Sequence, residues 1–480
     1  MRTFNLTVIF IFLTATVSFA QNCDCVSNFE WVKKTFEEND AGFQYIVDKK
    51  GHAAYDIHNQ LMLEKIKAAK TSTECPKLFY EWLKFFRSGH IGIELLTQKE
   101  PDISQTPKEN AVYETFKVDI PKFEKYISTK KEVDYEGIWD LGYYKIGIQK
   151  NGVNYIGFII ETEVDTWKSK QVKLKIEQNG DEVKSTFYMR DHSAEESGNP
   201  ELIGNNILQI GGRILERLSP IFPDDPFIEN YFKAMSAEKP YLETLNETTL
   251  YLRIPSFYIS EKPAIDSVLS ANKDIILKTE NLIIDLRNNG GGSDESYKEL
   301  LPFLYTNPIR TPSIEFLSTP HNTQQMLDYS TNTDFGEDTR MWIKDLYDKL
   351  KDKLGEFVPL HDEPVYIERQ DTVYEYPKNV GVIINKGNAS TTEQFLFAAK
   401  QSKKVKLFGV TTHGALDISN MLSIESPCKE FELWYCMSRS MRIPDMTIDD
   451  IGIQPDYYLD KTIPEHKWVK FVNEVLNGQK

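Results

Sequence analysis

Ser390 occupies a position at which a serine could act as a nucleophile. It follows an apolar run of strand length, residues 379–385, and a short polar turn, and it precedes a segment whose apolar residues recur with helical spacing. On such a strand-to-helix turn, the helix dipole and the amide of Thr391 can stabilise developing negative charge. The alternative is an ordinary helix N-cap, since Ser390 and Glu393 form a capping-box pattern.

A glycine-rich loop is the second chemical feature. Residues 283–293 read IIDLRNNGGGS, an apolar strand followed by three consecutive glycines. Glycines let amide N–H groups point into space that a Cβ would block, and the carboxyl end of a buried strand is where α/β proteins bind ligands. The amides of Gly290 or Gly291 and of Thr391 could therefore form an oxyanion hole. The alternative is a flexible turn between a strand and a helix.

These segments resemble the C-terminal processing (tail-specific) serine proteases and their relatives in the tricorn core protease group. The resemblance covers about residues 245–460, and its matching pieces are LIIDLRNNGGG, NASTTEQF, KVKLFGVTTHG and DDIGIQPD. They occur in the family's order and at compatible spacing. The resemblance implies a crotonase-like α/β protease core.

One departure concerns the general base. Processing proteases of this family pair the serine with a lysine in a later turn, but Ala415 stands at that place here. There is no lysine between Lys406 and Lys429. A Ser-Lys mechanism is therefore not expected.

The tricorn-like branch instead uses a histidine from the region before the nucleophile, helped by an acid just ahead of a G-x-x-P-D motif. The segment FFRSGHIGI around His90 resembles that histidine segment, and Asp449 occupies the position of the acid. The family usually has the longer Glu there. The resemblance thus implies Ser390 as the nucleophile, His90 as the base and Asp449 as the orienting acid.

The chemistry of serine explains why such a set would suffice. A serine hydroxyl needs a base during attack at neutral pH, and imidazole titrates in the right range. The second ring nitrogen then needs an acceptor that fixes the tautomer. His413 remains a competing base, because the family brings its turn beside the nucleophile. The competing acids are Asp450, Asp417 and Glu393.

The first twenty residues have the pattern of a secretory signal peptide. Arg2 precedes an uncharged apolar stretch at 6–17 and a small-x-small exit at 18–20. This segment is too short to span a membrane, and no later segment is apolar for long enough. We therefore expect an exported, soluble protein, periplasmic or secreted, with no membrane span.

The cysteines are consistent with export. The chain has 5 cysteines, and an oxidising compartment permits disulfides. Cys428 and Cys436 flank what reads as a strand pair and are expected to form a bridge, while Cys23 or Cys25 pairs with Cys75. No histidine lies close to these cysteines in the sequence, which disfavours zinc. We expect neither a metal nor a cofactor.

Charge limits the partners. Lys and Arg total 56 against 72 Asp and Glu, a formal net charge of −16. This balance argues against nucleic acid or anionic membrane as a partner. The expected partner is a peptide or unfolded protein substrate, and the oligomeric state is left open.

The sequence pattern divides the mature chain into three parts. Residues 21–130 are predicted to be mainly helical and carry His90. Residues 131–200 show period-two strands separated by Asn-Gly turns, typical of a small antiparallel β domain. Residues 201–480 alternate strands with helices, as in an α/β layer fold, with a charged helical arm inserted near 321–355.

Two functions of different kinds follow from this pattern. The first is an exported serine endopeptidase that cleaves peptides or unfolded polypeptides through an acyl-enzyme on Ser390. The alternative is a catalytically inactive family member that acts as a peptide-binding module, which the missing lysine would permit.

Overall fold

The structure is a computed structural model that describes residues 24–96, 113–180 and 182–478. The predicted signal peptide at 1–20 and Cys23 lie outside these residues. Within the described ranges, every helix is too short or too polar to cross a membrane. The described residues form two compact units. Unit 1 comprises 24–96, 256–280 and 286–457, and unit 2 comprises 113–255 without residue 181, together with 281–285 and 458–478.

The helices are named in chain order. They are α1 (Cys25–Asn39), α2 (Phe43–Lys50), α3 (His52–Lys67), α4 (Cys75–Leu83), α5 (Ile120–Ser128), α6 (Phe227–Ser236), α7 (Lys262–Ala271), α8 (Lys273–Ile276), α9 (Leu301–Leu304), α10 (Pro320–Thr331), α11 (Glu337–Leu350), α12 (Thr391–Ala399) and α13 (Trp468–Leu476).

The strands follow the same order. In the first half of the chain they are β1 (Gly92–Leu95), β2 (Gly137–Asp140), β3 (Tyr144–Asn151), β4 (Asn154–Thr162), β5 (Val172–Asn179), β6 (Glu182–Tyr188), β7 (Ala194–Glu196), β8 (Glu201–Ile203), β9 (Ile207–Ile210), β10 (Arg213–Ser219), β11 (Tyr241–Asn246) and β12 (Thr249–Arg253). The others are β13 (Asn281–Asp285), β14 (Ile309–Pro312), β15 (Ile314–Leu317), β16 (Phe357–Pro359), β17 (Val365–Glu368), β18 (Asn379–Ile384), β19 (Val405–Gly409), β20 (Ile418–Glu425), β21 (Phe431–Ser440) and β22 (Tyr457–Tyr458).

The N-terminal helices of unit 1 pack through an aromatic core. Phe29 and Phe36 lie on one face of α1, and both rings meet Trp82 of α4 edge to face. Phe36 also packs on Phe86, in the turn that leads to His90. This core is continuous with apolar residues of β20 and β21. The helices therefore hold the histidine segment against a sheet.

Disulfide pairing agrees with one prediction and contradicts the other. Cys25 is bonded to Cys75, which ties α1 to α4 as expected. Cys436 is a free, buried thiol, and Cys428 is bonded elsewhere, so the predicted Cys428–Cys436 bridge is wrong. Cys428 lies in the turn before β21, whereas Cys436 lies five residues into that extended strand, roughly 17 Å from its first residue. A disulfide needs Cα atoms within about 7 Å.

Unit 2 contains a nine-stranded antiparallel sheet in the order β7-β6-β5-β4-β3-β2-β10-β9-β8. Its inward side chains alternate along the strands and include Trp139, Ile146, Ile159 and Leu174. The period-two pattern that predicted strands in 131–200 reflects this alternation. The sheet continues to Ser219. The domain boundaries drawn at residues 130 and 200 stay predictions.

Both units also contain parallel strands that are largely buried on both faces. In unit 2, β12 pairs in parallel with β13, and in unit 1, β18 pairs in parallel with β19. All residues of β12 and β13 are buried, as expected for parallel strands covered on both sides. The chain thus has the mixed α/β class that the sequence predicts.

The charged arm predicted near 321–355 consists of α10 and α11 in unit 1. Only one face of each helix is exposed, because Met326, Ile343, Leu346 and Leu350 are buried in the same core as the N-terminal helices. In the sequence, the many Asp and Lys residues make it hard to recognise these apolar residues at helical spacing. The arm is therefore part of the packing of unit 1.

Candidate active site

The nucleophile turn is strained at Ser390. It connects β18 to α12, and Ser390 has φ 56° and ψ −126°, a conformation that is costly for a residue with a side chain. The turn is held by Asn388, whose side-chain amide donates to the carbonyls of Leu286 and Asn289. Ser390 is half-buried at the N-terminus of α12. Its geometry is that of a serine presented on a sharp strand-to-helix turn.

The glycine loop lies directly against this turn. A Cβ at Gly291 would stand 2.9 Å from the Cβ of Ser390 and 2.9 Å from the amide nitrogen of Thr391, so only glycine fits there. The amide of Gly291 donates to Asn289 Oδ1 at 3.0 Å, whereas the space beside the Cα of Gly290 is open. Of the three predicted oxyanion donors, Gly291 thus has an internal acceptor, and Gly290 and Thr391 remain the predicted pair.

His90 is held by main-chain oxygen rather than by a carboxylate. It has φ 56°, and its Nδ1 lies 2.7 Å from the carbonyl oxygen of Ile418. A carbonyl oxygen can only accept a hydrogen bond, so Nδ1 carries the proton, and Nε2 of the neutral ring has a free lone pair. Burial lowers the pKa of His90, the Ile418 bond opposes this, and Arg87 and His413 lower it further. The lowered pKa favours the neutral form of the His90 imidazole.

A buried ion pair fixes the backbone of the histidine segment. The guanidinium of Arg87 forms two bonds to Asp40, at 2.8 and 2.5 Å, and donates to the carbonyl of His90 at 3.0 Å. Asp40 also accepts from the amides of Gly42 and Cys436. Along β21, β1 pairs with residues up to 434 and β15 pairs from 438 onward. Asp40 fills the gap between these two partners.

His413, the competing base, lies beside the same segment. Its Nε2 would be 3.3 Å from a Cβ at Gly89, the residue before His90. The His413 side chain is exposed, and its amide donates to the carbonyl of Asn388 at 2.8 Å. Both histidines therefore flank Gly89, but their rings differ in burial and in partners.

Residues 412–418 form a segment that we call the strap. Its Ala415 stands where processing proteases carry lysine, and a Cβ at Gly89 would lie only 2.5 Å from the Cβ of Ala415. The carbonyl of Ala415 accepts from the amide of Ser390 at 2.9 Å, and the carbonyl of Ile418 binds His90. The strap thus connects the nucleophile turn to the histidine segment.

Two carboxylates hold the five consecutive amides of the strap from 414 to 418. Glu393 accepts from Gly414 and Ala415, both at 2.8 Å. Asp449 accepts from the next three amides, those of Leu416 and Asp417 at 2.7 Å and that of Ile418 at 3.2 Å.

Asp449 and His90 bind the same residue of the strap, Ile418. The carboxylate of Asp449 binds the amide of Ile418, and the carbonyl of the same residue binds His90. Burial, followed by the charge of Asp417, raises the pKa of Asp449 to about 6, against its hydrogen bonds. The role of Asp449 as the orienting acid stays a prediction, and the observed contacts are those of a residue that acts through the strap.

The other competing acids also have structural contacts. Asp450 accepts from the amide of Ser88 at 2.8 Å, two residues before His90. Asp417 binds Arg442 and the amides of Ile448 and Asp449. Burial raises the pKa of Glu393, and its four hydrogen bonds oppose the shift. The sequence indicated Glu393 as a helix cap and as a competing acid, and it gave no signal for Asp40 or Ile418, whose partners are distant in the chain.

Comparison with known proteins identifies the fold. A family model described as Peptidase family S41 matches residues 248–459. The structure of mature CPAF complexed with lactacystin is similar, with a TM-score of 0.52 at 12% identity over 94% of this chain and 97% of that chain. The crystal structure of mature CPAF gives a TM-score of 0.50 at 12% identity, over 94% and 96%. No curated protein matches by sequence. The likeness confirms the predicted α/β fold with a crotonase-like core.

Proposed function

Because the chain belongs to peptidase family S41, a family of serine peptidases, we propose that it is a catalytically active, exported endopeptidase. Its substrates would be peptides or unfolded polypeptides, and its intermediate an acyl-enzyme on Ser390. The family membership agrees with the resemblance drawn from the four motifs. The single observation that supports activity best is the strap, which contacts both the nucleophile turn and His90.

The proposed reaction follows from the tautomer of His90. Ser390 Oγ attacks the carbonyl carbon of the scissile peptide while its proton passes to His90 Nε2. The amides of Gly290 and Thr391 would stabilise the tetrahedral oxyanion, an element worth about 3 kcal/mol per donor. The C–N bond then breaks, and the leaving amine takes the proton from Nε2. Water attacks the ester with His90 again as the base, which releases the acid and restores Ser390.

The proposal of export rests on two observations. Residues 1–20 have the pattern of a signal peptide, and Cys25 and Cys75 form a disulfide. Disulfides persist in secreted and periplasmic proteins and are rare in the cytosol. Secretion of the chain into the medium or periplasm, with loss of residues 1–20 by mass spectrometry, would support this part of the proposal. Retention of the full chain in the cytosol would contradict it.

A fluorophosphonate probe tests the activity. The probe reacts with an activated serine, so the folded wild-type protein should be labelled at Ser390, and Ser390→Ala should not. The strained turn and the neutral His90 are the reasons for this expectation. Folding is checked by circular dichroism on both proteins. A folded wild-type protein that takes up no probe and hydrolyses no peptide would instead favour the peptide-binding module.

A further inference from the structure

We propose that Glu393 is a positioning residue that sets the geometry of the Ser390 turn relative to the strap. The consequence for catalysis rests on the proposed peptidase function, whereas the structural role does not. Glu393 lies three residues after Ser390 in α12, and its side chain is completely buried. Its role follows from the number and position of the groups that it binds.

The hydrogen bonds of Glu393 show that it binds the strap more than it caps helix α12. A helix cap requires only the bond from the Ser390 amide, which at 3.3 Å is the longest of the four. The three shorter bonds all come from the strap: the hydroxyl of Thr412 at 2.5 Å, and the amides of Gly414 and Ala415 at 2.8 Å. Hydrogen bonds to an ionised acceptor are about twice as strong as neutral ones. Glu393 therefore holds the strap more firmly than it holds the helix end.

The distribution of donors explains why a carboxylate is needed. One oxygen accepts from Thr412 and Gly414, and the other accepts from Ala415 and Ser390. A glutamine has one acceptor oxygen and one NH₂ group, so its NH₂ would face either the amides of Ala415 and Ser390 or the amide of Gly414, and at least one backbone donor would lose its acceptor. Loss of partners at buried polar groups is costly. Glutamine has nearly the same shape but cannot replace this function.

Through the strap, the position of Glu393 affects the positions of both Ser390 and His90. The carbonyl oxygen of Ala415 accepts a hydrogen bond from the amide of Ser390, and the Cβ of Ala415 packs against Gly89. Three residues later, Ile418 holds His90 Nδ1. A shift of the strap would therefore change the distance between the serine hydroxyl and the imidazole. Displacements of about 1 Å in such a pair can reduce rates about 100-fold.

The test compares Glu393→Gln with a matched control, Glu136→Gln. Glu136 is also buried and accepts from an amide and a hydroxyl, those of Lys150 and Tyr126, but it lies in unit 2, directly before β2. We expect Glu393→Gln to lower kcat and the rate of fluorophosphonate labelling by about 100-fold, with little change in KM. The control should leave both rates within about twofold of wild type, even where its melting temperature falls.

Amide hydrogen exchange provides a readout that does not depend on activity. In Glu393→Gln, the amides of Gly414 and Ala415 should exchange faster, while those of Leu416 to Ile418, bound to Asp449, keep their protection. Unchanged exchange at residues 414 and 415 would overturn the proposal, and so would unchanged kcat and labelling in an active enzyme. If wild type is neither labelled nor active, the proposed function fails, and hydrogen exchange still decides the role of Glu393.

Discussion

At the scale of single residues, the structure separates the groups that the sequence could identify from those that it could not. Ser390, His90 and the glycine loop stand in local patterns, a strand-to-helix turn, a helix end and a glycine run, and are visible in the sequence. The partner of His90 is different, because any residue can offer a carbonyl oxygen. Ile418 therefore carries no sequence signal, and the motif position of Asp449 pointed to a direct contact with the imidazole.

The variant Asp449→Asn tests whether Asp449 only holds the strap by hydrogen bonds or must carry a negative charge near His90. Oδ1 of Asp449 accepts two of the three strap amides, and asparagine keeps that oxygen. We therefore expect Asp449→Asn to lower kcat/KM by about tenfold and Asp449→Ala, which loses every bond, by about tenfold more. Equal losses in both variants, of the size seen on removing the base, would show that the charge itself is required.

The pH dependence of Asp449 gives a second test of the same residue. The pKa of Asp449 is raised to about 6, so its carboxylate takes up a proton as the pH falls through that value and then binds the strap amides less strongly. His90, with a lowered pKa, is protonated in the same direction. The acid limb of log kcat/KM should thus be steeper than one proton in wild type and fall to one proton in Asp449→Asn. An identical slope in both proteins would contradict this account.

At the scale of elements, the candidate site residues lie in turns, and the neighbouring helices and strands position those turns. The sequence predicted the strand, turn and helix around Ser390 and the helix end before Gly89, because apolar spacing and glycine mark them. It could not show that the strap lies between these two elements. That arrangement depends on the hydrogen bonds that Glu393 and Asp449 make to the strap and on those that Asp40 makes to Arg87, all of them between residues that are not neighbours in the chain.

The packing of Gly89 on Ala415 can be tested by a double-mutant cycle. Gly89→Ala places a Cβ about 2.5 Å from the Cβ of Ala415, and such overpacking typically costs about 1 to 3 kcal/mol. Ala415→Gly removes the opposing atom and should cost only about 1 kcal/mol alone. The double variant should be more stable, by chemical denaturation, than the sum of the single changes predicts. Strictly additive changes in the free energy of unfolding would show that the side chains at positions 89 and 415 do not clash.

At the scale of the whole molecule, the sequence predicted the fold class and missed how distant segments combine. Unit 2 combines residues 113–255, the short segment 281–285 and residues 458–478, which are separated in the sequence by segments of unit 1, and composition along the chain cannot show this. The error over Cys436 has the same origin. Cys428 and Cys436 are close in sequence, yet the extended β21 separates them, and Cys436 faces the carbonyl of His90.

Unit 2 contains a buried lysine that should affect its stability. Lys173 is 1% exposed, and its Nζ lies 3.9 Å from the ring centre of Trp167 and 4.0 Å from that of Tyr144. Burial, then the charge of Arg213, lowers the pKa of Lys173 to about 7, against Asp191. The folded state therefore binds fewer protons than the unfolded state above pH 7, and this group disfavours folding most at and below that pH.

Lys173→Met should relieve this penalty. We expect its melting temperature to exceed that of wild type at about pH 6 and the difference to shrink towards about pH 9, where the neutral amine costs less to bury. Lys175→Met is the control, because Lys175 lies on the same strand but bonds Glu114 at 2.7 Å and has a raised pKa. The control should not gain stability. A Lys173→Met protein that is less stable than wild type at every pH would show that the contacts with the rings outweigh burial of the charge.

The pH profile of kcat/KM for peptide hydrolysis in wild type, His90→Ala and His413→Ala tests the central claim most directly. His90 is half-buried and fixed by Ile418, whereas His413 is exposed. Wild type should lose activity below an apparent pKa lower than about 6.5. His90→Ala should lose at least about 100-fold in rate, and His413→Ala much less. The opposite ranking, or an unchanged profile in folded His90→Ala, would contradict the assignment of His90 as the base for Ser390.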